Sequence, residues 1–216
     1  MNEARPLPPN LAQRYHGWKA TAFADNHTWL RRLAEEGQRP RVMVISCCDS
    51  RVNASNMFGE DPGEFFVHRN IAALVPPHAP DGDLHGTSAA VEYAVTALQV
   101  TNIIVLGHSL CGGVKGCHDM CAGQAPELLE KSSFVGRWME ILRPGYERVK
   151  DVADEAERLR ALERQAVLTS INNLQSFPFV AERRAAGDLL LHGLWTDIAE
   201  GSLMEYHGYA GVWEDV

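Results

Sequence analysis

The chain has 216 residues and a mass of 23.9 kDa; 45% of its residues are hydrophobic and 22% are charged. This composition is typical of a globular protein with one sizeable core, which excludes a disordered chain and a coiled coil. Its 20 basic and 28 acidic residues give a net charge of −8, so we expect neither a nucleic-acid partner nor a membrane partner.

The first 37 residues are predicted to form an N-terminal helical arm. Two helical patterns occupy residues 10–36, and the second starts from a cap at Asp25 or Asn26 and stops at Gly37. The opening residues carry a charge of each sign with prolines close behind, so they lack the apolar core of a secretory signal. We therefore expect a cytoplasmic protein.

Three short apolar runs, at residues 41–46, 65–69 and 102–107, predict strands that are largely buried. Between the last two, a helix is predicted from a cap at Thr87 or Ser88 to about Leu98. A strand, a helix and a further strand in this order indicate a parallel sheet, in which reactive groups gather beyond the carboxyl ends of the strands.

The stretch between Glu92 and Lys115 has no Asp, Glu, Lys or Arg and is long enough to span a membrane. Polar residues and glycines interrupt it, and its first half has the pattern of a helix while its second half has that of a strand. We expect a buried strand there and no membrane span.

The last third of the chain predicts one long amphipathic helix over residues 147–177 and then two strands, 189–195 and 202–206, which form a hairpin. The fold class is therefore α/β: a central, mostly parallel sheet flanked by helices, with the N-terminal arm and a C-terminal hairpin strand. We assign residues 1–216 to a single domain, made of an arm at 1–37 and a catalytic core at 38–216.

Two polar clusters each follow a predicted strand directly. The first contains Cys47, Asp49 and Arg51, and the second contains His108 and Cys111. A lone cysteine or histidine is usually a packing residue, but two thiolates and an imidazole converging from two strand ends suit a tetrahedral zinc ion. The five cysteines are an odd number without an export signal, which argues against a disulfide framework.

The two clusters together resemble the signature of the β-class carbonic anhydrases, zinc enzymes that interconvert carbon dioxide and bicarbonate. The motifs in this sequence are Cys47-x-Asp49-Ser50-Arg51 and His108-x-x-Cys111-Gly112, and the segments 62–72 and 92–95 between them are also similar to that family. The resemblance is specific from about Gln38 to Gly116, and it favours the plant-type branch.

The resemblance implies one zinc ion per chain, with Cys47, His108 and Cys111 as its ligands. It further implies that Arg51 holds Asp49, and that Asp49 accepts a hydrogen bond from the zinc-bound water or hydroxide. The implied reaction is the reversible hydration of carbon dioxide to bicarbonate and a proton by that hydroxide. A surface ion pair between Asp49 and Arg51 is the alternative interpretation of this dyad.

The resemblance also implies a set of substrate-binding residues, of which all but the last have an ordinary loop or packing role as the alternative: Gln38, Phe66, Ile71, Tyr93 and Gly112. Val44 replaces the tryptophan that many bacterial members carry three residues before the first cysteine. In those members the tryptophan accompanies an inhibitory bicarbonate site, so the chain is similar to the branch whose active site stays open.

The resemblance implies a homodimer or a higher homo-oligomer, with carbon dioxide and bicarbonate as the small-molecule substrates. Two other functions remain open: hydrolysis of carbonyl sulfide or carbon disulfide at the same site, and a zinc-thiolate protein that binds partners or senses redox state. A second zinc site at Cys117, His118 and Cys121 is disfavoured, because no fourth ligand is apparent.

Overall fold

The computed structural model describes residues 4–216, which divide into two compact units, the first ending at Arg39 and the second spanning Pro40–Val216. The first unit holds two helices, α1 (Pro9–Ala20) and α2 (Ala22–Glu36), and α2 stops before Gly37, whose φ is 81°. The predicted cap at Asp25 or Asn26 is wrong. Asp25 lies in the first turn of α2, where its charge complements the helix dipole, and the Asn26 side chain donates to the carbonyl of Ala22.

The second unit is built on a single six-stranded sheet with the strand order β2-β1-β3-β4-β5-β6. The first four strands in this order run parallel, and the pairs β4–β5 and β5–β6 are antiparallel, which confirms the predicted α/β class with its C-terminal hairpin. The strands are β1 (Val42–Cys47), β2 (Phe65–Asn70), β3 (Asn102–His108), β4 (Leu190–Thr196), β5 (Leu203–His207) and β6 (Val212–Asp215).

The centre of the sheet is its most apolar part because β1 and β3 are flanked by strands on both sides. Met43, Val44 and Ile45 in β1 are fully buried, as are Ile103 and Val105 in β3. β1 and β3 pair in parallel up to Ser46 opposite Leu106. The carboxyl ends of these two strands therefore lie side by side, with Cys47 and His108 at the ends of β1 and β3.

Helices cover the sheet: α3 (Ala54–Phe58), α4 (His85–Glu92), α5 (Gly112–Cys121), α6 (Phe134–Met139), α7 (Arg143–Val149), α8 (Glu155–Leu174) and α9 (Pro178–Ala185). No helix among residues 4–216 is long and apolar enough to cross a membrane.

Three details of the predicted elements are wrong. The single helix at 147–177 is two helices, because the Asp154 side chain accepts the backbone N–H of Glu157 at 2.8 Å and starts α8 afresh. Thr87 does not cap α4; it is buried, and its hydroxyl contacts Nε2 of His68 at 3.0 Å. The sixth strand, β6, is not predicted, since it has only four residues and two of them are acidic.

Gly107 permits β3 to lie directly against α8. A Cβ atom at this position would stand 2.6 Å from Cγ2 of the buried Val167. We expect Gly107→Ala to lower the free energy of unfolding by about 1–3 kcal/mol through overpacking, as measured by urea denaturation. Gly86→Ala in α4 is the control, because its Cβ would meet no atom within 4 Å. Equal stability of the two variants would contradict this account of the packing.

Candidate metal centre and active site

Three potential metal ligands meet where β1 and β3 end. Cys47 is the last residue of β1, His108 is the last residue of β3, and Cys111 directly precedes α5. All three side chains are buried, and their ligand atoms lie within 4.8 Å of one another. The two Sγ atoms are 3.9 Å apart. The structure thus gathers the three predicted ligands around one point.

The imidazole of His108 is oriented with one nitrogen free. Its Nδ1 donates to the carbonyl of Ser109 at 2.8 Å, which leaves Nε2 as the unprotonated nitrogen of the neutral ring. Nε2 is buried and has no hydrogen-bond partner among the described residues. A buried lone pair without a partner is costly, and a metal ion would satisfy it.

The surroundings of the two thiols favour a negative charge at this point. The hydrogen bond from Cys111 lowers the pKa of the Cys47 thiol, and the backbone N–H of Ala72 adds a contact to Cys47 Sγ at 3.4 Å. The same bond to Cys47, together with burial, raises the pKa of Cys111. Without a cation the pair therefore favours one thiolate, and a bound cation would supply the charge that ionises both.

The start of α5 packs closely against the turn after β2, where Ile71 and Ala72 lie. Ala72 is in the left-handed region, with a φ of 62°, and this conformation accompanies the approach of its N–H to Cys47. A Cβ at Gly113 would lie 2.6 Å from Cγ2 of Ile71, so only glycine fits there, whereas a Cβ at Gly112 would meet nothing within 4 Å.

Asp49 and Arg51 form a two-point ion pair beside the three ligands. Arg51 Nε donates to Asp49 Oδ1 at 2.9 Å and Nη2 donates to Oδ2 at 2.7 Å, while the Arg51 backbone N–H also donates to Oδ1. These bonds hold the pKa of the Asp49 carboxyl well below its usual range. Arg51 Nη2 also donates to the carbonyl of Leu110 at 3.0 Å, which ties the first polar cluster to the second.

The structure places four of the five predicted substrate-binding residues in the same unit as the ligands. The rings of Phe66 and Tyr93 are 5.8 Å apart, and Tyr93 is 50% exposed while Ile71 is 40% exposed. Gly112 is exposed at the first position of α5, a helix without a side-chain cap. Gln38 belongs to the N-terminal unit.

The remaining cysteines form no second metal group. Cys48 is exposed, Cys117 is buried with its Sγ near the carbonyl of Met139, and Cys121 is half-buried. His118 is held between Asp119 at Nδ1 and Arg158 at Nε2. Within residues 4–216, Cys47, His108 and Cys111 are the one cluster of three such ligands.

Two residues near the site were not identified from the sequence. Arg69 donates to the carbonyls of Cys47, Asp49 and Val52 and so fixes the loop after β1. Glu163 is buried in α8, and its Oε1 accepts the backbone N–H of Cys111 at 3.3 Å. Glu163 lies one turn from Leu159 on the apolar face of its helix. An acidic residue on that face is the one feature of the sequence that indicates a buried charge here.

Burial raises the pKa of the Glu163 carboxyl, because the charged form is disfavoured away from water. The backbone N–H groups of Cys111 and Leu110 oppose this shift by favouring the carboxylate. Burial therefore disfavours the Glu163 carboxylate, while hydrogen bonds from the loop that carries Cys111 stabilise it.

Residues 42–203 match the family model described as carbonic anhydrase. The chain is 37% identical over 190 residues to beta carbonic anhydrase 3 of Arabidopsis thaliana, a match that covers 86% of this chain and 71% of that protein. It is 35% identical over 190 residues to a carbonic anhydrase of Synechocystis sp., covering 86% of this chain and 66% of that protein.

Solved structures agree with these matches. The structure of the β-carbonic anhydrase CcaA superposes with a TM-score of 0.87 at 30% identity, covering 96% of this chain and 91% of the other. Another, described as one of two tetrameric β-carbonic anhydrases from Sordaria macrospora, gives a TM-score of 0.75 at 29% identity and covers 95% of this chain and 97% of the other.

Proposed function

The chain belongs to the β-class carbonic anhydrases, and from this premise we propose that it catalyses the reversible hydration of carbon dioxide to bicarbonate and a proton in a zinc-dependent manner. The observation that carries the proposal is the buried cluster of Cys47, His108 and Cys111, with the unpartnered Nε2 of His108, beside the paired Asp49 and Arg51. A structural zinc site would need a fourth protein ligand and would have no use for an oriented carboxylate beside it.

Cys47 Sγ, His108 Nε2 and Cys111 Sγ would hold the zinc ion. Two soft sulfur donors and a neutral imidazole suit zinc, whereas calcium and magnesium prefer oxygen donors. With only three protein ligands, a zinc ion held there would also be able to bind a water or substrate molecule. When bound, zinc supplies a Lewis acid that acidifies a coordinated water molecule near neutral pH.

Asp49 is proposed to act as an oriented hydrogen-bond acceptor and not as a proton carrier. Its carboxylate stays ionised because Arg51 binds both oxygens, so it can accept a hydrogen bond but does not take up a proton near neutral pH. Arg51 would also keep the carboxylate from binding a metal ion held by the three ligands. The pair would thereby orient a water molecule towards the substrate carbon.

Phe66, Ile71 and Tyr93 are proposed to form an apolar wall for carbon dioxide, which is a small apolar molecule. The backbone N–H of Gly112, at the uncapped start of α5, is proposed to donate to an oxygen of bicarbonate. Gln38 is proposed to contact substrate as well, on the basis of the family resemblance.

A homodimer or higher homo-oligomer is proposed, with the N-terminal unit packing on a second copy of the chain. The described part of that unit leaves Tyr15, Trp18 and Trp29 between 42% and 50% exposed, although their rings are large and apolar. Light scattering is expected to give at least twice the chain mass of 23.9 kDa. A monomer at micromolar concentration would contradict this assembly.

The function is tested by stopped-flow measurement of proton release from carbon dioxide, with a pH indicator and with or without prior chelation. We expect rapid hydration that chelation abolishes and added zinc restores. Carbonyl sulfide and carbon disulfide are offered in parallel, since they are linear analogues of carbon dioxide. A zinc-loaded protein that hydrolyses either of these but does not hydrate carbon dioxide would contradict the proposal.

A further inference from the structure

Glu163 is a buried carboxylate, and packing in the hydrophobic core does not explain a charged side chain at this position. The residue is 5% exposed, and its Oε2 has no hydrogen-bond partner among the described residues. A buried carboxylate with one unpaired oxygen lowers stability, so its contacts indicate its role. Its Oε1 accepts the backbone N–H of Cys111 at 3.3 Å. The side chain therefore acts on the loop that joins β3 to α5.

Leu110, in the middle of that loop, adopts a conformation that leucine disfavours. Its φ is 56°, in the left-handed region, which a residue with a Cβ disfavours because the Cβ comes too close to the backbone. The side chain is 69% exposed, so packing of the leucine does not hold it in place. The bonds to the adjoining backbone must therefore hold the turn.

Two side chains bind the loop from different elements. Glu163 accepts the N–H of Cys111, and Arg51 donates to the carbonyl of Leu110 at 3.0 Å. The same Nη2 atom of Arg51 donates to Oδ2 of Asp49 at 2.7 Å. A continuous chain of contacts thus runs from Glu163 through the backbone of residues 110–111 to the Arg51 and Asp49 pair.

We propose that Glu163 is a positioning residue: it holds the left-handed turn at Leu110 so that the Leu110 carbonyl fixes Arg51, and through it Asp49, in the catalytic orientation. This inference rests on the proposed function of the dyad. Glu163 itself is not a ligand, because it lies outside the cluster of ligand atoms formed by Cys47, His108 and Cys111.

The test is a double-mutant cycle between Glu163 and Arg51. Glu163→Met removes the acceptor and keeps most of the side-chain volume, and Glu163→Ala replaces it if the methionine variant does not fold. We expect kcat to fall about tenfold with about one zinc ion retained per chain, as for loss of a group that orients a metal-site residue. In the Arg51→Ala background the same substitution should change kcat less than about twofold, because its route of action is already lost.

Two further variants separate positioning from general stability. Glu163→Gln keeps an acceptor oxygen and should restore kcat to within about threefold of the parent. Thr169→Val, another buried polar residue on α8, is the matched control and should leave kcat unchanged. An equal loss of kcat from Glu163→Met in both Arg51 backgrounds, or loss of zinc on that substitution, would overturn the proposal. Failure of the parent to hydrate carbon dioxide would instead refute the proposed function.

Discussion

Replacing Cys47 by alanine is expected to abolish both metal binding and activity. Cys47 supplies one of three buried ligands, and its thiolate is the one that the surrounding hydrogen bonds favour. Two remaining ligands, Cys111 and His108, cannot hold a tetrahedral ion tightly against competition from water. We expect less than about a tenth of a zinc ion per chain by mass spectrometry and turnover at the uncatalysed background.

Cys48→Ala is the matched control for this experiment. Cys48 is the next residue along the chain, but it is exposed and stands outside the ligand cluster. Its removal should leave the zinc content and the turnover at parental values. If Cys47→Ala kept stoichiometric zinc, or if Cys48→Ala lost it, the assignment of the ligands would be wrong.

Replacing Arg51 by alanine is expected to preserve the metal and to lower turnover by about two orders of magnitude or more. The three ligands do not depend on Arg51, but both oxygens of Asp49 do. The freed carboxylate would then be able to compete with water for the metal ion. Stopped-flow turnover and zinc content, measured on the same preparation, separate these two effects.

Two further variants test whether the effect of Arg51→Ala comes from the lost bond to Asp49 or from a general loss of stability. Arg51→Lys keeps the charge but loses the two-point bond to Asp49, so most of the turnover should still be lost. Asn53→Ala removes the cap of α3, where the side chain accepts the N–H of Ser55 at 3.1 Å. It should cost about 1 kcal/mol of stability without changing turnover. Loss of zinc from Arg51→Ala would show that Arg51 is structural instead.

The sequence predicts the central strands and the residues at their ends well, because each strand and the polar cluster after it are continuous in the chain. β1 and β3 are short apolar runs, and each ends in a polar cluster that has no role inside a core. Parallel pairing places the ends of such neighbouring strands together, so the sequence alone predicts that Cys47 and His108 converge. The resemblance to the β-class carbonic anhydrases then implied which of these residues would be ligands.

Other features depend on contacts that periodicity does not encode. The break between α7 and α8 comes from one side chain, Asp154, which binds a backbone N–H and overrides an otherwise helical pattern. The left-handed turn at Leu110 could not be predicted from residue type, because the position is not a glycine. Glu163 is separated from Cys111 by 52 residues, so their contact exists only in the folded chain.

The measurement that tests the account most directly is a zinc titration of chelator-stripped protein, followed by the rate of carbon dioxide hydration. The proposed site predicts that the rate rises in proportion to added zinc and levels off at one ion per chain, with no further increase beyond it. A protein that binds one zinc ion per chain without hydrating carbon dioxide, or that hydrates it fully after the metal is removed, would contradict the account.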